Sequence, residues 1–271
     1  MVKKEEKESR KKEEDRIIQE PIEEIKLKPV EKVEDIEDIE AKVKEPVSKE
    51  ERLQRARVEE ISSWKPKTML GKEVREGKIK NIDEVFDKGY KILEEQIVDL
   101  LIPNLQVDLI SIGQAKGKFG GGKRRIWRQT QKKTAEGNVP SFSCMAVVGD
   151  EAGHVGIGLG KARETLPAKE KAVRDAKLNL IKLKRGCGSF DCSCNETHSL
   201  PFKVKGKTSS SVIILTPAAK GTGLVIDSEC KKIMKLAGIK DLYSRTFGQT
   251  RSKINLAKAC IKALEETRRL K

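Results

Sequence analysis

Aromatic side chains make up only 4% of this 271-residue chain, and it has just two histidines, His154 and His198. So few rings argue against a large apolar ligand pocket, and two imidazoles leave little for acid–base chemistry. Six cysteines, unevenly placed, are too few for a secreted disulfide scaffold, so a reducing cytoplasm is the expected setting. No apolar run approaches the roughly 18–20 residues that cross a bilayer, and the charged N-terminus does not read as a signal peptide. No membrane partner is expected.

Positive charge, in contrast, is abundant. The formal net charge is +15, and it is unevenly spread. Residues 1–60 carry 16 basic and 20 acidic side chains, which leaves 41 basic against 22 acidic, or +19, on residues 61–271. That balance predicts a polyanionic partner. It peaks between Gln114 and Lys133, where eight Lys or Arg stand with no Asp or Glu. Lys116, Lys118, Lys123, Arg124, Arg125, Arg128, Lys132 and Lys133 are its candidate phosphate partners, with Gly120, Gly121 and Gly122 letting backbone approach RNA closely. Trp127 either stacks on a base or packs the arm against its scaffold. Lys161, after Gly156, Gly158 and Gly160, is a further phosphate candidate. Neither nucleotide motif fits there. A Walker loop needs Gly at Val155 and Ser or Thr at Ala162, and a dinucleotide turn needs Gly at Lys161.

The length suits two ordinary domains after a tail. Residues 1–60, rich in Lys and Glu and broken by Pro21, Pro29 and Pro46, read as a disordered or conditionally helical tail. Helical spacing predicts one helix from Asn81 to Pro103, through Ile82, Val85, Phe86, Leu93, Ile97, Leu100 and Leu101. Strands are expected at 105–112, 142–149 and 154–160, the last two a hairpin across Asp150-Glu-Ala-Gly153, then a helix over 165–183. Helix, three strands and helix give the α-β-β-β-α order of a double-stranded-RNA-binding-like domain over 61–183, with the basic arm, 114–140, between its first two strands. A small α/β domain is expected over 201–271: strands 199–205 and 210–217 joined at Gly206, helix 228–236, strand 241–247 and helix 252–267. The fold class is α+β.

Between these domains, in a linker over 184–200, lies Cys187-x4-Cys192-x-Cys194-x3-His198. Three thiolates and an imidazole can close a tetrahedral, structural Zn²⁺ shell. They can equally be reduced thiols packing a loop, and the sequence leaves both open. Cys144, Cys230 and Cys260 sit in apolar patterns and are expected in the core. His154 is expected in the solvated hairpin turn, and Glu170 and Asp175 on a solvated helix face. No nucleophile–base–orienter set emerges, so no enzyme is expected.

Seven separate motifs in order carry a family resemblance: Trp64-Lys-Pro-Lys-Thr; Val155-Gly-Ile-Gly-Leu-Gly-Lys-Ala162 after Val147-Val-Gly-Asp150; Arg185-Gly-Cys-Gly188; His198-Ser-Leu-Pro-Phe-Lys-Val-Lys-Gly-Lys207; Thr216-Pro-Ala with Gly221-Thr-Gly-Leu224; Leu236-Ala-Gly-Ile-Lys-Asp241; and Thr246-Phe-Gly-Gln-Thr250. Residues 64–267 resemble the universal small-subunit ribosomal protein five in its archaeal and eukaryotic form. The resemblance implies a double-stranded-RNA-binding variant followed by an α/β domain with a left-handed βαβ crossover. It also implies 16S-type rRNA near the decoding region as partner, the mRNA entry channel and decoding accuracy as setting, and small-subunit proteins three, four and eight as neighbours. The arm is longer here than in the family, and many family members lack Cys187, Cys192 and Cys194. A free double-stranded-RNA-binding regulator is the competing expectation.

Overall fold

The computed structural model describes residues 62–114, 124–194 and 196–269. The tail, and within the arm Lys116, Lys118, Gly120, Gly121, Gly122 and Lys123, lie outside the described residues. The described residues all fall within one compact unit of mixed α+β structure built on two sheets.

Before the first sheet the described residues include the short helices α1 (Met69–Arg75), α2 (Ile82–Asp87) and α3 (Glu95–Leu101). The single predicted helix is therefore two, α2 and α3. Gly89, at φ +74°, ends α2 with paired backbone bonds, Gly89 N to Phe86 O and Tyr90 N to Val85 O. This is a left-handed C-terminal cap, and it turns Leu93 out to solvent at 61% exposure. Trp64 and the segment after it are fastened by one carboxylate. Glu94 accepts from Trp64 Nε1 at 2.8 Å and from the amides of Lys67 and Thr68 at 3.0 and 2.7 Å.

The strands β1 (Gln106–Ile110), β2 (Arg128–Thr134), β3 (Gly137–Gly149), β4 (His154–Ala162) and β5 (Leu180–Lys182) form an antiparallel sheet in the order β1-β3-β4-β5, with β2 also on β3. The expected β3–β4 hairpin is present, with Gly149 opposite Val155. The arm differs from expectation, because its second half is a hairpin strand in register with β3 from Arg128↔Ser143 to Thr134↔Gly137. Helix α4 (Thr165–Leu178) crosses β3 and β4 and stops five residues before the predicted end. The chain turns at Asn179 so that 180–182 can pair with the start of β4.

Alternation along β3 sorts its side chains into two cores. Cys144, Ala146 and Val148 pack with α1–α4, whereas Met145 and Val147 join the core of the second sheet. That second sheet contains β6 (Val204–Thr208), β7 (Ser211–Pro217), β8 (Leu224–Val225) and β9 (Leu242–Phe247) in the order β6-β7-β9-β8, with α5 (Ser228–Leu236) and α6 (Lys253–Glu266). Gly206 is not the joint between the first two of these strands. It pairs with Ile213 inside β6, where a Cβ would stand 2.0 Å from Ala259 O of α6, and the turn falls at Ser209, φ 55°. The predicted strand start at Ser199 is an isolated bridge to Gly186.

Candidate nucleic-acid interface and metal centre

The hairpin β2–β3 presents its basic side chains to solvent: Arg128, Lys132 and Lys133 are exposed along β2. Arg125 is exposed just before it, and its carbonyl accepts from Gly113 N at 2.8 Å, which closes the base of the arm. Trp127 is half-buried against the core beneath α4, so the indole packs the arm on its scaffold. Arg124 is also half-buried.

Lys161 joins this surface through strand register. Arg128 faces Ser143 on β3, and Ser143 faces Lys161 on β4. Directly opposed residues share a sheet face, so the two cations lie about 10 Å apart, two strand spacings, on the face away from α4. The neighbouring glycines serve the opposite face. A Cβ on Gly156, Gly158 or Gly160 would come within 2.0–2.3 Å of α4 backbone at Ala176, Ala172 or Ala168. Gly158 and Gly160 thus let the helix lie on the sheet, and alternation aims Lys161 outward. This division of labour also explains why no nucleotide loop is present.

His154 departs from its expected solvated turn. It opens β4 and is only 8% exposed, with Nδ1 2.5 Å from Asp150 Oδ2, Nε2 3.2 Å from Asp83 Oδ1, and its ring stacked on Phe86 at 5.8 Å. Burial alone would lower its pKa, but hydrogen bonding and charge from Asp150, joined by Asp83, outweigh burial and raise it. The same contacts hold the Asp150 carboxyl below its ordinary range against the opposing effect of burial. Asp175, too, is more than a solvated charge, since it accepts from Leu159 N at 2.8 Å and so ties α4 to β4. Cys144, Cys230 and Cys260 are buried as expected, and burial pushes the Cys144 thiol up to about 11.

The four sulfur and nitrogen donors of the linker do come together. One ligand atom from each of Cys187, Cys192, Cys194 and His198 lies within 4.8 Å of the others. Cys192 Sγ is 3.0 Å from Cys194 Sγ and 3.7 Å from His198 Nε2. A tetrahedral zinc shell sets neighbouring donors about 3.5–3.8 Å apart, so small sulfur movements would complete it. The bond to Cys194, with backbone N–H groups of Lys220 and Cys194, draws the Cys192 thiol down to about 6, while the same pairing pushes Cys194 up to about 11. His198 is 4% exposed, and its Nδ1 lies 2.8 Å from Asp241 Oδ2. Nδ1 thus faces this carboxylate as a close charged neighbour, out of hydrogen-bond geometry, while Nε2 faces the sulfurs as a metal-ligating nitrogen would.

Sequence reasoning missed a cavity of about 1070 Å³ beside this cluster, lined by Arg185, Lys231, Lys235 and Lys240 with Glu151 and Glu196. Arg185 spans it, donating to the carbonyls of Glu151 and Ala152 at 3.0 and 2.6 Å. The i,i+4 spacing of Lys231 and Lys235 on α5 was its only sequence signal. On β9, Tyr243 and Phe247 are about half exposed, whereas Leu242 is fully buried.

Among known proteins, the family described as "Ribosomal protein S5, N-terminal domain" matches residues 126–184, and "Ribosomal protein S5, C-terminal domain" matches 206–271. A protein of Nanoarchaeum equitans named "Small ribosomal subunit protein uS5" is 50% identical over 206 residues, 76% of this chain and 88% of its own length. Its namesake in Pyrobaculum arsenaticum is 45% identical over 210 residues, 78% and 96% of the two chains, and that of Aeropyrum pernix 44% over 210, or 78% and 89%.

Proposed function

The chain belongs to the ribosomal protein S5 family, which is structural and non-enzymatic, and from that premise we propose that it is a constituent of the small ribosomal subunit held to 16S-type rRNA by its basic arm. The observation that carries this reading is the exposed cationic row of Arg128, Lys132 and Lys133 on a hairpin, extended across the sheet to Lys161. The arm residues Lys116, Lys118, Gly120, Gly121, Gly122, Lys123, Arg124 and Arg125 continue the grip, with Gly158 and Gly160 supporting Lys161 from beneath. Electrostatics carries the affinity: six neutralised phosphates give a log–log salt slope of about −4 to −5.

The finer placement follows the family. The first sheet with α4 acts as a double-stranded-RNA-binding variant over 61–183, and β8-α5-β9 makes the left-handed crossover of a second domain over 201–271. The protein contacts rRNA near the decoding region, borders the mRNA entry channel, influences decoding accuracy and touches small-subunit proteins three, four and eight. Cys187, Cys192, Cys194 and His198 hold one structural Zn²⁺ that braces the linker.

Gradient fractionation of native lysate tests the main reading. Stoichiometric cosedimentation with 30S particles at high salt is the expected result. A chain that leaves the particles and binds free duplex RNA is instead a regulator.

A further inference from the structure

We propose that residues 218–224, together with Asp241, form the outer wall of the metal centre, so that zinc loading sets the order of the β7–β8 connection. This rests on the reading of Cys187, Cys192, Cys194 and His198 as a Zn²⁺ site, and deepens it by assigning a positioning residue and a responding loop.

Asp241 is the junction. It is 4% exposed, and its two oxygens serve different partners. Oδ2 meets His198 Nδ1 at 2.8 Å, whereas Oδ1 accepts the amides of Gly221 and Gly223 at 3.1 and 2.8 Å. The backbone repeats the link, because the amides of Lys240 and Asp241 both donate to the His198 carbonyl, at 2.9 and 3.2 Å. From the other side, the Lys220 backbone N–H faces the Cys192 sulfur closely enough to lower its thiol pKa, and the Lys220 ammonium pairs with Glu196 at 2.7 Å. The loop therefore touches the donor cluster twice, once through sulfur and once through the carboxylate behind the imidazole.

The glycines fit this role for a conformational reason. Gly221 and Gly223 have φ of +91° and +73°, yet a Cβ at either would meet nothing within 4 Å. Space does not demand glycine here. Turning two nearby amides onto one carboxylate oxygen does, because that backbone path runs through the left-handed region.

Three thiolates around Zn²⁺ leave a net negative centre, which N–H donors such as Lys220 stabilise. The metal also fixes the imidazole, and the imidazole fixes Asp241. Without zinc, nothing ties the His198 ring and the Cys192 sulfur to one another across the cluster. Both of the loop's anchors then weaken at once.

The test uses the full-length chain, purified with zinc and then stripped by a chelator. Elemental analysis should find one zinc per chain. On stripping, amide exchange at Gly221 and Gly223 should quicken at least about tenfold, while Val147 and Ile157 in the first sheet stay protected. In competition with a chromophoric chelator, Asp241→Asn should still take one zinc but bind it about 10–100-fold more weakly. Less than half a zinc per chain rejects the underlying metal site. Full zinc with unaltered exchange at both glycines rejects the coupling alone, and this comparison in the unmutated chain decides the matter should Asp241→Asn fail to fold. An unaltered zinc affinity in Asp241→Asn removes the positioning role.

Discussion

His154 shows how much a single side chain's surroundings alter its expected role. Its position beside a turn read as solvated, yet Asp150, Asp83 and Phe86 enclose it. Asp83 is 71 residues away in sequence, so no local pattern could announce the pairing. Because the folded imidazole pKa is raised, its contribution to stability is complete below the unfolded value of about 6.5 and is lost as pH climbs through the folded value. At the acid end, the depressed Asp150 contributes above its unfolded value and loses that contribution as pH falls through the folded one. Asp150→Asn should therefore lower the His154 pKa, read from its ring protons by NMR, and cost about 1.5–3 kcal/mol of stability at pH 6, read from urea midpoints. An unmoved His154 titration would remove Asp150 from this account. The Cys and His donors were legible as a set, since their short spacing confines them to one loop. Asp241, 43 residues beyond His198, was not.

At the scale of elements, β1, β3, β4, β6, β7 and β9 and the last two helices were legible from alternation and helical stripes, whereas β2, β5 and β8 were not. Gly238 ends α5, whose last residue Leu236 matches the expected helix 228–236, and Gly89 ends α2 with the same pair of backbone bonds. The sequence reading passed through Gly89 because Leu93 and Leu100 continue the apolar spacing beyond it, although both are exposed. The end of α4 was overrun for a similar reason. Leu180 and Leu183 extend the alanine stripe but belong to the chain after the turn, where Lys182 reaches Asp83 and Asp87 at 3.0 Å. The Gly156, Gly158 and Gly160 stripe gives a sharp test. Gly158→Val should force α4 off β4 and destabilise the protein by about 1–3 kcal/mol, visible as a lowered thermal midpoint. Lys161→Ala should leave that midpoint unchanged and weaken rRNA binding instead, because its side chain points to the other face. Similar stability losses in both variants would overturn the separation of roles.

For the whole molecule, charge distribution was the most transferable reading. An excess of +19 over residues 61–271 pointed to a polyanion before any element was known, and family membership agrees. What composition could not supply was geometry, because the arm's β2 strand has no apolar alternation to reveal it and is exposed along most of its length. Lys123→Ala, Arg124→Ala and Arg125→Ala combined should weaken rRNA affinity and flatten the log–log salt slope by about 2–3, since each lost phosphate contact removes roughly 0.7–0.9. Filter binding across a salt series measures it. An unchanged slope would mean that other surfaces, such as the cavity lined by Arg185, Lys231, Lys235 and Lys240, hold the RNA.

The two-faced first sheet has a consequence for the newborn polypeptide. Met145, Val147, Val155 and Ile157 share their core with Leu256, Cys260 and Leu264 near the C-terminus. Synthesis proceeds from the N-terminus, so these apolar side chains are complete long before the helix that helps cover them exists. Until that helix emerges, the unfinished chain offers a greasy strip to whatever is nearby. Chaperone capture should fade only when α6 has cleared the exit tunnel.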